Sequence, residues 1–142
     1  MSKTNPLIVY RETQIKTANQ GTLIVMLYDE ALKHLGRAIE SLDSARPNIE
    51  RTGNHIVKVQ DIVTELMVSL DFEKGGSIAK NLFSLYVFVN KQLVDANIRK
   101  DITPLAAVKK LLEELRGAWA EVAPGHTDGP MRPDKNGLNI AG

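Results

Sequence analysis

No cysteine occurs among the 142 residues. Disulfides, thiolate catalysis and cysteine-containing zinc sites are therefore excluded, and the composition suits a reducing compartment. Neither sign of charge dominates: Lys plus Arg is 18, Asp plus Glu is 17, and the net charge is +1. No one-sided field is available to gather nucleic acid or an anionic membrane. Long apolar runs are missing as well. The longest, Leu23 to Leu27, falls far short of the roughly 20 residues that span a bilayer, and the N-terminus lacks the apolar region of a signal peptide. These absences predict a cytoplasmic chain with neither membrane insertion nor nucleic-acid binding.

Catalytic and metal-binding signatures are absent too. There is no Gly-x-x-x-x-Gly-Lys-Ser/Thr loop, Gly-x-Ser-x-Gly elbow or His-Glu-x-x-His motif. Carboxylate-bridged metal bundles need paired Glu-x-x-His motifs, whereas here His34 lies four residues after Glu30, His55 stands apart and His126 falls near the C-terminus. A surface pair explains the first, and no catalytic residue, metal ligand or cofactor is expected. A bundle enzyme with unrecognised ligands is the competing class, and metal analysis separates the two.

What is present is helical spacing. Hydrophobic residues make up 43% and charged residues 25% of a chain long enough for one domain. A first helix starting near Asn19 carries Leu23, Leu27, Ala31, Leu35, Ala38 and Leu42 on one face and stops before Pro47. A second, from about Asn48 to Leu70, carries Ile56, Val59, Val63, Leu66 and Leu70, with Gly53 weakening its start by roughly 1 kcal/mol. Gly75 and Gly76 break the chain, and Asp71 to Lys74 reads as a solvated turn. Ser77 then caps a third helix whose inward face is Ile78, Leu82, Leu85, Val89, Leu93 and Ala96. Asp101 or Thr103 caps a fourth, with Pro104 at its first position and Leu105, Val108, Leu112, Leu115, Trp119 and Val122 as its stripe. Short connections between such helices predict an all-α, antiparallel, up-down-up-down four-helix bundle over residues 19–122. An apolar N-terminal arm, residues 1–18, packs on it, and a flexible tail follows at residues 123–142.

Three helices carry more apolar residues than one stripe requires, among them Tyr28, Ile62, Met67, Phe83 and Tyr86. Wide stripes in a compact core and a groove for a partner's amphipathic segment explain that surplus equally well.

The order of several stretches adds a further indication. They are Asn5-Pro6 through Tyr10, Thr17-Ala18, the Leu-Ile-Val-Met-Leu-Tyr-Asp run from Leu23 to Asp29, and Lys58 to Phe72. Glu73-Lys74-Gly75-Gly76, Leu82 to Tyr86, Leu93 to Asn97 and Leu111 to Trp119 follow in turn. Together these resemble the flagellin-specific export chaperone family, FliS. Two positions depart from it: Asn19-Gln20-Gly21 stands where the family commonly has Ser-Pro-Glu, and Glu30 where Gly is frequent. The resemblance implies a non-enzymatic cytoplasmic chaperone that binds the C-terminal segment of flagellin, prevents premature polymerisation and serves the flagellar export apparatus. A helical adaptor that regulates another flagellar or export protein through the same groove is the alternative, and a homodimer is left open. The candidate groove residues are Tyr28, Asp29, Ile62, Leu66, Phe72, Phe83, Tyr86 and Asn90, with Leu7, Ile8 and Tyr10 of the arm as a lid.

Overall fold

A computed structural model describes residues 20–123, which form four helices: α1, Gln20–Asp43; α2, Ile49–Val68; α3, Phe72–Arg99; and α4, Ile102–Val122. The arm with Leu7, Ile8 and Tyr10, the Asn19 cap and the tail beyond Ala123 lie outside the described residues. Links of two to five residues leave successive helices antiparallel. Each helix packs on two neighbours around a ring, α1 on α2 and α4, α3 on α2 and α4, and the α1–α2 seam is the most extensive.

Side-chain caps set the helix starts. Asn48 stands in extended conformation and its side chain accepts from the Arg51 amide at 2.9 Å, which starts α2 where expected. Its end comes earlier than expected, at Val68, with Ser69 as the C-cap. The start of α3 differs more. Asp71 accepts from the Glu73 and Lys74 amides, both at 3.0 Å, so the predicted turn is instead the first turn of a helix. Gly76 then bends it, with φ 53° and ψ −128°, a conformation that glycine adopts without a Cβ penalty. The glycine break therefore exists as a kink inside the element, and Ser77 is not its cap.

Only Lys100 and Asp101 separate α3 from α4. Lys100 is left-handed, with φ 51°, and its ammonium donates to the carbonyl and the side-chain oxygen of Asn97, both at 2.7 Å. The Asp101 amide reaches back to Ala96 while its carboxylate caps Thr103, so one residue closes one helix and opens the next. Because Asp101 is the cap, Pro104 occupies the third helical position rather than the first. It still lies within the first turn, whose N–H groups have no intrahelical partners.

Inside the ring lies a single apolar core that includes Leu27, Leu35, Ile56, Val63, Leu93, Leu105, Leu112 and Trp119. The inward face of α3 contains Tyr86 where Leu85 was expected. Across the bundle its hydroxyl meets that of Tyr28 at 2.5 Å. That bond satisfies two polar groups that would otherwise be costly to bury. Burial pushes the ionisation of both phenols up, so the pair is neutral at any ordinary pH.

Candidate functional site: an apolar face along α2 and α3

The structure separates the eight groove candidates into three groups. Tyr28, Ile62, Leu66 and Tyr86 are at most 1% exposed and belong to the core rather than to a groove wall. Their offset from the main stripes reflects a wide buried face: α1 also buries Ile24 beside Tyr28, and α2 buries both Ile62 and Val63. Asp29 is exposed on the α1–α4 side, paired with Arg116 at 2.7 Å. Phe72, Phe83 and Asn90 are the three that come to one face, the outer side of α2 and α3.

This face arises because α3 carries two apolar stripes. Ala79, Leu82, Tyr86, Val89, Leu93 and Ala96 point inward. Phe83, Val87, Val94 and Ile98 repeat the same spacing roughly a third of a turn away. On α2 the corresponding outer residues are Val57, Met67 and Val68. Met67, Val87 and Val94, with Asn90 and Lys91, line a shallow depression of about 370 Å³. Phe72 and Phe83 lie edge to face, their ring centroids 5.9 Å apart. Val94 is 45% exposed, Phe72 46%, Val68 68% and Ile98 78%. From Phe83 to Ile98 the stripe extends about 22 Å at the α-helical rise. Exposed apolar side chains grouped beside a core already filled make this face the candidate place for another chain to bind.

The seam under the face narrows toward one end. A Cβ on Gly53 would lie 3.2 Å from the Asn97 side-chain oxygen and 3.7 Å from the Lys100 ammonium. The glycine that weakens the α2 start thus leaves room for the Asn97 and Lys100 side chains at the C-terminal end of α3. Midway, Asn90 donates to the Thr64 hydroxyl across a long 3.5 Å, and its side-chain oxygen is buried without a partner. Asn90 therefore belongs to the floor more than to the rim.

Nothing in this arrangement supplies chemistry beyond burial. Among the described residues no group of three or more His, Cys, Asp or Glu could hold a metal ion, and no helix is long and apolar enough to cross a membrane. His34 pairs with Glu30 at 3.9 Å, as the spacing predicts, and it also meets His55, which the spacing does not show. Their Nδ1 atoms are 2.9 Å apart across the α1–α2 seam, a bond that requires one ring to donate and the other to accept. Burial lowers both pKa values, and nearby cations, among them Lys58 for each ring, lower them further.

Val57, Val68, Val94 and Ile98, with half-buried Val87, are residues of this face that the sequence reading did not single out. Their signal was the second stripe on α3, which repeats at helical spacing beside the first.

The Flagellar protein FliS family matches residues 3–126. The flagellar secretion chaperone FliS of Salmonella typhimurium is 34% identical over 114 residues, 80% of this chain and 83% of that protein. FliSB of Pseudomonas aeruginosa, also a flagellar secretion chaperone, is 35% identical over 108 residues, 76% and 84% of the two chains. FliS of Bacillus subtilis is 29% identical over 121 residues, 85% and 88%. All three names describe chaperones rather than enzymes. With a match across nearly the whole bundle and relatives above 30% identity, the chain belongs to the FliS family.

Proposed function

We propose that this protein is a cytoplasmic flagellar secretion chaperone that holds the C-terminal segment of flagellin along the α2–α3 face, keeps it from polymerising and presents it for export. The observation that carries this reading is the stripe of exposed Phe83, Val94 and Ile98 with half-buried Val87, beside Met67 and Phe72, left over after the core is complete. Its straight course and helical spacing suit an amphipathic helix laid alongside. Coupled folding and binding of such a segment buries roughly 1,000–3,000 Å² and gives back several kcal/mol in ordering, which keeps the complex reversible.

The apolar arm residues Leu7, Ile8 and Tyr10 complete the proposal as a tethered competitor for client surface, with an effective concentration in the millimolar range for a short linker. Deleting residues 1–16 is expected to raise binding of a hydrophobic dye and to change client affinity. Titration of the protein with a peptide from the C-terminal region of the cognate flagellin, followed by calorimetry and circular dichroism, tests the main reading. Saturable heat with a gain of helix supports it; neither signal at high micromolar peptide refutes it.

A further inference from the structure

A second surface, on a different seam, is built for charge. Where α1 passes into α2, Arg37, Ser41, Ser44, Arg46, Asn48 and Arg51, with Glu40, surround a concavity of about 320 Å³. None of the three guanidinium groups makes an ion pair among the described residues, although Lys33, His34, Arg99, Lys109 and Arg116 all find carboxylates. The walls are held in place. Thr52 bonds to Ser41 at 2.6 Å and to the Asn48 carbonyl at 2.9 Å, and the Ser44 hydroxyl donates to the Ser41 carbonyl at 2.9 Å. One turn further along the seam, burial first and then the charges of Arg51, Arg37 and Lys58 disfavour protonation of His55. The edge is thus locally rich in cations despite a net charge of only +1.

We propose that the Arg37–Arg46–Arg51 concavity is a docking site for an acidic protein segment carrying two or more carboxylates. Guanidinium forks pair with carboxylates in two-point geometry, and three of them spread around an open hollow match oxyanions spaced along a chain better than one compact ion. Glu40 in the wall repels a small dianion placed centrally but leaves room for carboxylates at the rim. Nucleic acid is disfavoured because Glu40 and Glu30 interrupt the basic residues along this seam and the net charge is only +1. The site is independent of the apolar face, so both can be occupied at once.

Binding an acidic segment here brings negative charge close to His55. The groups that face the His34–His55 pair are Glu30, Lys33 and Arg37 from α1 and Arg51 and Lys58 from α2. With Arg37 and Arg51 neutralised, protonation of His55 becomes easier. The test is NMR of the full chain in low salt, following arginine Nε–H and histidine C2–H signals as a synthetic hexaglutamate peptide is added. Inorganic phosphate and hexalysine serve as comparators. Saturable shifts at Arg37, Arg46 and Arg51 are expected, with a rise in the His55 pKa. Affinity should fall about tenfold in the Arg37→Gln/Arg51→Gln double variant and stay unchanged in Lys109→Gln/Lys110→Gln. An equal loss of affinity in the Lys109→Gln/Lys110→Gln variant, or an unchanged Arg37→Gln/Arg51→Gln variant, would overturn the proposal. So would phosphate binding more tightly than the peptide, which would make the hollow a small-ion site. Arg46→Gln alone, in the link between helices, is the check should the double variant lose helicity.

Discussion

Helix α2 builds two seams that behave in opposite ways. Against α1 it closes: Ile62 is in the core, His34 meets His55, and Ser41 meets Thr52. Against α3 it opens toward solvent, with one long hydrogen bond from Asn90 to Thr64 and apolar side chains left over on both rims. Val57 and Val68 are no less apolar than Ile56, Val59 and Val63. What differs is the opposing wall, which fills the second set's surroundings and not the first's. Apolar character therefore marks both core and candidate client surface, and only packing separates them.

The widest divergence between the two seams should come from a buried charge. Ile62→Asp places a carboxylate at a fully enclosed position and is expected to unfold the protein, a loss above about 4 kcal/mol. Ile98→Asp should leave the urea midpoint within about 0.5 kcal/mol of the parent while weakening flagellin peptide binding about tenfold. Similar stability losses for both would erase the distinction. Next in size is Tyr86→Phe, which strands the Tyr28 hydroxyl and should cost about 1–3 kcal/mol. On the open seam the sign reverses: Asn90→Leu removes an unpartnered buried oxygen and should stabilise by about 1 kcal/mol in the absence of client. A loss there would show that Asn90 is well paired.

Acid should attack the closed seam selectively. Both histidines have folded pKa values below the unfolded value of about 6.5, so the unfolded chain takes up more protons as pH drops. Their contribution is complete above about pH 6.5 and is lost as pH falls below it. Replacing both with Gln should flatten that part of the stability profile, measured by urea denaturation between pH 7 and 5. The smallest effect belongs to the α1–α4 edge. Asp29→Asn breaks an exposed pair with Arg116 and should cost less than about 1 kcal/mol, decreasing with salt.

Much of the bundle was legible because helices announce themselves locally. Asn48 and Asp101 carry the acceptor oxygen that a cap requires, and the inward stripes of α1 and α2 repeat without interruption. The α3 start was hidden because Gly75-Gly76 looks like a terminus, whereas the Asp71 cap lies upstream and Gly76 absorbs the bend. Leu85 and Tyr86 differ by only one residue, about 100° around the helix, and both are apolar enough to point inward. At the candidate client surface the limit was different in kind. Phe72, Phe83 and Asn90 share a face, but Tyr28 and Tyr86 meet across 58 residues of sequence and Ile62 is capped by other helices. Such pairings depend on which helices become neighbours and at what register, and residue spacing within one helix does not specify either. The same holds for His34 and His55, whose contact exists only because α1 and α2 align side by side.

Methyl-resolved NMR of the full chain, with the C-terminal segment of the cognate flagellin added to saturation, addresses the α2–α3 assignment most directly. The predicted result is large shifts and new intermolecular contacts at Met67, Val87, Val94 and Ile98, with Ile62 and Leu66 changing little. Contacts confined to the α1–α4 side, with those four methyl groups unmoved at saturation, would contradict the account.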